Sequence, residues 1–174
     1  MKTPKYTHKL LSALALIVTI LSFQSCGIYS LTGASVGDAK TFQVNLFQNT
    51  ANLIEPGIDR TFTNDLQDFI QNQTSLSLVN NNADLIYEGE IVQYYFSPMT
   101  ATSDNTAAQT RLTIAVNVRY YNNKDPEKDF EKRFSFYYDY SGTDLLTGSD
   151  LDTALEEIFT RLTQDIFNES LTDW

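Results

Sequence analysis

A stretch in the second half of the chain alternates strictly between two kinds of side chain. In Arg111–Tyr121 one set is wholly apolar and the other is mostly polar. The apolar set is Leu112, Ile114, Val116, Val118 and Tyr120. Because consecutive side chains of a strand point to opposite faces, this pattern predicts a sheet with one buried face and one face in water.

Other stretches predict the partners of this strand. Further strands are predicted at Thr41–Phe47, with Phe42, Val44 and Leu46 inward, at Leu76–Val79 with Leu85–Phe96, and at Phe130–Tyr140. Gly89 lies within one of them and indicates a bulge or a close backbone approach. The polar stretches between strands and helices predict loops at Gln48–Gly57, Ser97–Ala108 and Asn122–Asp129.

Two stretches carry the helical period instead. Ile58–Gln73 places its apolar residues on a single stripe, and Asp150–Ser170 does the same. Ser149 with Asp152 three residues on resembles a capping box at the start of the second helix. The order β-α-β-β-β-α predicts an α+β two-layer sandwich, a four-stranded mixed or antiparallel sheet with both helices on one face.

The first residues predict export and a lipid anchor. Leu10–Phe23 has no charge and is too short to span a bilayer, which is typical of a signal-peptide core. Ser25 and Cys26 after it resemble the lipobox of bacterial lipoproteins, in which the cysteine is acylated, for example with palmitate. We therefore expect residues 1–25 to be a signal peptide, 26–40 a lipidated cysteine with a flexible tether, and 41–174 one domain. The alternatives are an ordinary signal peptide cut nearby and a lone buried cysteine.

The composition excludes several function classes. The net charge is −10, and loss of three lysines with the signal leaves nine basic residues against 22 acidic ones, or −13. Such a charge argues against nucleic-acid binding. The single histidine lies in the signal, so Ser–His and Cys–His catalysis is excluded. Glu88 and Glu90 share a strand face, but the loops around them do not suggest a catalytic or calcium site. We expect no enzymatic activity, no cofactor and no metal.

Cys26 with CGIYSLTG, then TFQVNLFQN, an EPG turn before a helix, ADLIYEGEI, RLTIAVNVRY and a long amphipathic final helix together resemble the lipopolysaccharide-assembly lipoprotein family (LptE), in its Bacteroidetes form. The resemblance implies an outer-membrane lipoprotein on the periplasmic side. It implies a partner, the β-barrel translocon that inserts lipopolysaccharide, which the lipoprotein would plug and help to fold. Direct contact of the lipoprotein with lipopolysaccharide is also compatible with the resemblance.

Candidate contact residues come from the solvent-facing side of the predicted sheet and from adjacent pairs of tyrosines. Phosphate contact favours arginine and lysine, and in each adjacent tyrosine pair one ring should lie outside the core. The candidates are Arg111, Arg119, Lys132, Arg133, Tyr95, Tyr121 and Tyr137. Strand alternation places Lys132 opposite Arg133, so the four basic residues do not all share a face. Ordinary surface charge and sheet propensity remain the alternatives for these residues.

Two other functions stay open. One is a periplasmic accessory lipoprotein of an ABC transporter or secretion complex. The other is a surface-exposed lipoprotein that binds glycans, which is disfavoured because no acidic run follows Cys26.

Overall fold

The alternating stretches form one mixed sheet in the computed structural model, which describes residues 34–53, 55–99 and 109–172. Within those residues the sheet has six strands. They are β1 (Thr41–Val44), β2 (Gln48–Asn49), β3 (Ser77–Leu78), β4 (Leu85–Met99), β5 (Gln109–Asn122) and β6 (Phe130–Ser141). Helix α1 (Ile58–Gln73) lies between β2 and β3, and helix α2 (Ser149–Leu171) follows β6.

The sheet order is β3-β1-β4-β5-β6, with β2 also beside β4. Strands β4, β5 and β6 are antiparallel neighbours, because only a short connection joins β5 to β6, through a 3₁₀ turn at Pro126–Lys128. Strand β1 runs parallel to both β3 and β4, since α1 crosses over between them. The result is a meander of three long strands with a short parallel part at one side.

Both helices pack on the same face of this sheet. The ring of Phe62 in α1 lies between two other rings. Its centroid is 5.1 Å from that of Phe47, which lies between β1 and β2, and 5.2 Å from that of Phe159 in α2. Tyr87 of β4 is fully buried, and its hydroxyl is 2.9 Å from the hydroxyl of Ser170. The core therefore lies between the helices and one face of the sheet.

The long elements confirm the predicted α+β class with two helices on one face. Helix α1 has the predicted bounds, and α2 extends one residue beyond the prediction at each end. All five apolar side chains of the alternating stretch in β5 are buried. Gly89 is a site of close approach, because a Cβ there would lie 2.0 Å from the backbone oxygen of Asn117. The bulge of β4 lies further on, between Ile91 and Gln93.

Several local predictions are wrong. Strand β2 lies inside a predicted loop. The predicted strand at Leu76–Val79 is present as β3, but it has only two residues and pairs with β1 instead of leading into β4. Strand β1 ends at Val44, so that Leu46 points outward, 49% exposed, and Phe47 enters the core in its place. Thr63 holds this turn, because its hydroxyl accepts a hydrogen bond from the Phe47 amide at 3.1 Å.

Two further boundaries differ. The predicted loop at Ser97–Ala108 begins later, because β4 continues to Met99 opposite β5; residues 100–108 lie outside the described residues. Pro98 is tolerated there since β4 has no described neighbour on its other side beyond Ile91, so no ladder bond needs its missing N–H. The capping box is also absent: Gly148 is the N-cap of α2, with no side-chain cap.

Candidate functional site

The face of the sheet turned away from the helices is the candidate interaction surface. We call it the open face and define it by the side chains of β4, β5 and β6 that point away from the core. Six of the seven predicted contact residues lie on it, namely Arg111, Arg119, Arg133, Tyr95, Tyr121 and Tyr137. The register aligns them in rows across three strands, so residues distant in sequence become neighbours.

One cluster lies at the end of the open face that is nearest the β4–β5 connection. Arg111 and Asp139 face each other across β5 and β6 and form a bidentate pair, with Nε–Oδ1 at 2.6 Å and Nη2–Oδ2 at 2.7 Å. These bonds raise the pKa of Arg111. The guanidinium carbon also lies 3.5 Å from the centroid of the Tyr137 ring, a cation–π contact. The arginine is therefore fixed and neutralised by its neighbours.

A second ionic cluster lies towards the other end. Arg119 contacts Glu88 through Nε at 3.1 Å and Glu90 through Nη1 at 3.1 Å. The hydrogen bond to Glu88, and after it the hydrogen bond to Glu90, raises the pKa of Arg119. Asn45 donates to the second oxygen of Glu88 at 3.3 Å. The carboxylate pair noted in the sequence is thus held by an arginine from the next strand.

The other two basic candidates lie apart from these clusters and from each other. Arg133 is on the open face, where Nη2 donates to the side-chain oxygen of Gln93. Lys132 points to the helix side of the sheet, and its Nζ is 2.7 Å from a carboxylate oxygen of Glu169 on α2. Lys132 and Arg133 therefore lie on opposite faces of the sheet, as predicted from strand alternation. Of the four basic candidates, only Arg133 has a neutral partner in these contacts.

Each tyrosine pair has one ring on each side of the sheet. Tyr95 is 40% exposed while Tyr94 is buried, and Tyr121 is 37% exposed while Tyr120 is buried. Tyr137 is 45% exposed and lies in the same row as Tyr95, with Thr113 between them. The open face therefore combines amphipathic aromatic rings with ion pairs that are internally balanced.

The sequence did not single out Asp139 or Gln93, which fix Arg111 and Arg133. The signal was present in the β5–β6 connection, because counting outward from that short turn places Asp139 opposite Arg111. Individual residue types carried no such information.

Among the described residues, no group of three or more His, Cys, Asp or Glu side chains is placed to hold a metal ion. No helix in the described ranges is both long and apolar enough to cross a bilayer. Cys26, the predicted lipidation site, lies outside the described residues. Residues 34–40 of the predicted tether are described, and there the amide of Ser35 donates to the carbonyl oxygen of Leu171 at 2.6 Å.

Several solved structures are similar to this chain at a low level. The hypothetical protein CT253 from Chlamydia trachomatis is 11% identical, with 76% of this chain and 98% of that chain covered and a TM-score of 0.48. The rare lipoprotein B from Shewanella oneidensis is 8% identical, with 73% and 89% covered and a TM-score of 0.45. A PelC dodecamer from Paraburkholderia phytofirmans is 9% identical, with 80% and 95% covered and a TM-score of 0.47.

At such scores and identities these likenesses carry no weight in assigning the protein. No curated protein matches the sequence. The family model described as lipopolysaccharide-assembly, LptE, matches residues 39–170, which is most of the chain. The chain therefore belongs to the lipopolysaccharide-assembly family LptE.

Proposed function

We propose that this protein is a lipid-anchored lipoprotein on the periplasmic side of the outer membrane. It acts there as the plug and folding partner of the β-barrel that inserts lipopolysaccharide. The family match supports a role in lipopolysaccharide assembly. In this proposal the protein makes and breaks no bonds of a substrate, and its work is done by contact.

The observation that carries the proposal is the chemistry of the open face. Within β4, β5 and β6 this face has four carboxylates against three arginines, so it is close to neutral. Arg111 and Arg119 are already paired with carboxylates. Large barrels have polar interiors, and a balanced polar face can exchange hydrogen bonds with such a wall at little electrostatic cost.

The exposed tyrosines fit the same role. A tyrosine offers a large apolar ring and a polar tip, and tyrosine is enriched at protein interfaces. Tyr95 and Tyr137 lie in one row, and Tyr121 lies near the far end of the same face. We assign these three rings to the barrel contact.

Direct binding of lipopolysaccharide phosphates by this face is the weaker assignment. Arg111 and Arg119 would have to release their carboxylates before binding a phosphate, and the net charge of the chain is negative. Arg133 would give up only its bond to the neutral Gln93. If lipopolysaccharide touches the open face, we expect Arg133 to be the residue that it contacts.

The anchor is tested separately from the contact. Three acyl chains on Cys26 would bury enough methylene groups for stable attachment, at about 0.8 kcal/mol each. Radiolabelled palmitate should label the wild type and not Cys26→Ala, and the label is the readout because the proposed barrel contact also holds the protein at the membrane. A Cys26→Ala protein that takes up as much label as the wild type, or a wild type that takes up none, would refute the anchor.

The contact is tested by photo-crosslinking in cells. A photoreactive amino acid replaces Tyr95 or Tyr137 on the open face, and a matched position, Glu156, is replaced on the exposed side of α2. We expect the open-face positions to capture a large outer-membrane barrel protein more strongly than Glu156, because the wall of the lumen also lies around the other sides of a plug. Capture of inner-membrane transporter subunits would favour the accessory-lipoprotein alternative, and capture of the barrel from Glu156 alone would reject the assignment of the open face.

A further inference from the structure

The outer edge of β6 is a long strand edge with no neighbour among the described residues. Strand β6 pairs with β5 without a register shift from Phe130 opposite Tyr120 to Ser141 opposite Gln109. At the other side of the sheet the edge is β3, which has only two residues. Native proteins usually keep edge strands short, bulged, charged or covered, because an open edge is a template for another strand. Strand β6 is neither short nor bulged.

Its charge protects one half only. Glu131, Lys132 and Arg133 follow one another at its start, whereas Phe134–Ser141 has a single charge, at Asp139. Along that second half the side chains on the helix side are aromatic: Phe134 is buried, and Phe136, Tyr138 and Tyr140 are only partly buried. A groove of about 580 Å³ separates this edge from the last turns of α2, and it is lined by Lys132–Ser135 on one side and by Asp165 and Glu169 on the other. The helix therefore leaves the edge open.

An added strand would have to meet definite requirements. It must place aromatic or apolar side chains on the helix side and polar ones on the open face. It must also bring an acidic residue beside Arg133 and a basic residue beside Asp139. Strand β6 meets all of these requirements itself when it runs in the opposite direction.

We propose that β6 is a docking edge for a second copy of this chain. The β6 strands of the two copies pair antiparallel about a two-fold axis perpendicular to the sheet, and the two Phe136 residues face each other across this axis. The two sheets then become one continuous sheet, with all helices on the same side. The open face of each copy stays uncovered. The dimer is a state of the free protein, because a lumen that is plugged by one copy has no room for a second copy beside it.

Charge selects the register. A two-fold axis of this kind keeps residues of the same face opposite each other, so the two registers with nearly full overlap are centred on Ser135 or on Phe136. The Ser135 register places Glu131 opposite Asp139 twice, which is repulsive. The Phe136 register places Arg133 opposite Asp139 twice, which is attractive. Directly opposed like charges destabilise a sheet and opposite charges stabilise it.

The same register suits the remaining pairs. Lys132 of one copy faces Tyr140 of the other, and Phe134 faces Tyr138 on the helix side. Ser135 faces Tyr137 on the open face. No pair in this register opposes two like charges or places a charge against a fully apolar neighbour.

Disulfide crosslinking of the full-length protein purified in detergent tests the register. In the Phe136 register, residue 135 of one copy lies opposite residue 137 of the other, at the spacing that a disulfide can bridge. A mixture of Ser135→Cys and Tyr137→Cys proteins should therefore form a crosslinked dimer, and neither variant alone should. The unmodified protein is the control for any crosslink through Cys26.

The opposite results overturn the proposal. A dimer from Ser135→Cys alone would place Ser135 on the axis, in the register that the charges disfavour. No crosslink in the mixture, under oxidation that crosslinks a control disulfide protein, would show that the edge does not take a second copy.

A charge swap tests the same register by another route, in the mixed cysteine background. Arg133→Glu should lower the crosslinked fraction roughly tenfold, because it faces Asp139 in both halves of the dimer. Adding Asp139→Lys should restore the fraction. Glu131→Lys is the matched control, since Glu131 faces the neutral Ser141. A rise in dimer with Glu131→Lys, or failure of the double variant to recover while its circular dichroism is native, would reject the pairing.

Discussion

The covered face and the open face of the sheet are built from alternate residues of the same strands, yet different forces organise them. On the covered face, Phe42, Tyr87 and Ile91 are completely buried against the helices. On the open face, Arg111 and Arg119 are held by carboxylates while remaining about a quarter exposed. Burial fixes the first face and ion pairs fix the second.

The difference shows where stability and recognition reside. Burying a large apolar side chain contributes roughly 1.5–3 kcal/mol, whereas an exposed ion pair contributes about 0–1 kcal/mol. The open face therefore adds little to folding. Its exposed tyrosines, and Arg133 with its neutral partner, can therefore be used in contact without loss of the fold, and this is the basis for assigning function to that face.

Replacing a buried ring should have the largest effect. Phe62→Ala removes a fully buried ring that packs between Phe47 and Phe159. We expect a loss of about 3–5 kcal/mol in the free energy of unfolding, measured by urea denaturation. Tyr121→Ala on the open face is the control and should lose less than about 1 kcal/mol. Equal losses at the two positions would break the distinction between the faces.

Overpacking the covered side of β4 should come next. Gly89→Ala places a Cβ 2.0 Å from the backbone oxygen of Asn117 and 2.7 Å from a ring carbon of Phe47. Because a backbone atom on the neighbouring strand cannot move freely, we expect a loss of about 2–3 kcal/mol. Ser135→Ala, exposed on β6, is the matched small change and should be near neutral. A Gly89→Ala protein as stable as wild type would mean that β4 and β5 are further apart than described.

Removing an open-face ion pair should have a smaller and salt-dependent effect. Arg119→Met leaves Glu88 and Glu90 without their cation, and we expect a loss under about 1 kcal/mol at low salt that shrinks at high salt. Arg133→Met is the matched control, because its partner Gln93 is neutral and its loss should not depend on salt. The same salt dependence in both variants would show that the Arg119 cluster is not ionic in origin.

The helices and the main alternation were predictable from the sequence because their periods are local. The bounds of α1 follow from its apolar stripe, and the buried set of β5 follows from alternation alone. Strand β2 was not predictable, since two residues carry no period. Strand β3 lies within the predicted strand at Leu76–Val79, but its pairing with β1 was not predictable because that pairing is set by neighbours distant in sequence. The burial of Phe47 in place of the predicted Leu46 also depends on residues distant in sequence. The Thr63 hydroxyl and the Phe62 ring, both in α1, hold Phe47 in the core.

The candidate site was predictable as a face but not as a network. Alternation was enough to place Tyr95, Tyr121 and Tyr137 outside the core. The partners of the arginines required the register between strands, which the alternation leaves open. Knowledge of Asp139 as the partner of Arg111 changes the reading of that arginine from a phosphate ligand to half of an internal pair.

The smallest expected effect concerns charge on the helical layer. The helices carry nine carboxylates against two arginines. Partial burial, then repulsion from Asp68 and Glu156, raises the pKa of Asp65 above 3.8. A raised pKa in the folded state means that the carboxylate destabilises the fold at neutral pH and that this penalty disappears as the pH falls below 3.8. Asp65→Asn should therefore raise the Tm at pH 7 by about 1–2 °C, and its advantage should vanish near pH 3.

Asp84, just before β4, is the matched control with the opposite sign. Hydrogen bonds from the amides of Lys40 and Thr41, with Lys124 nearby, lower its pKa to about 2. Its stabilising contribution is present above pH 3.8 and is lost as the pH falls towards 2. Asp84→Asn should therefore lower the Tm at pH 7, and its deficit should close below pH 3. If both variants shift the Tm in the same direction at pH 7, net charge alone decides the response, and the distinction between a crowded and a hydrogen-bonded carboxylate fails.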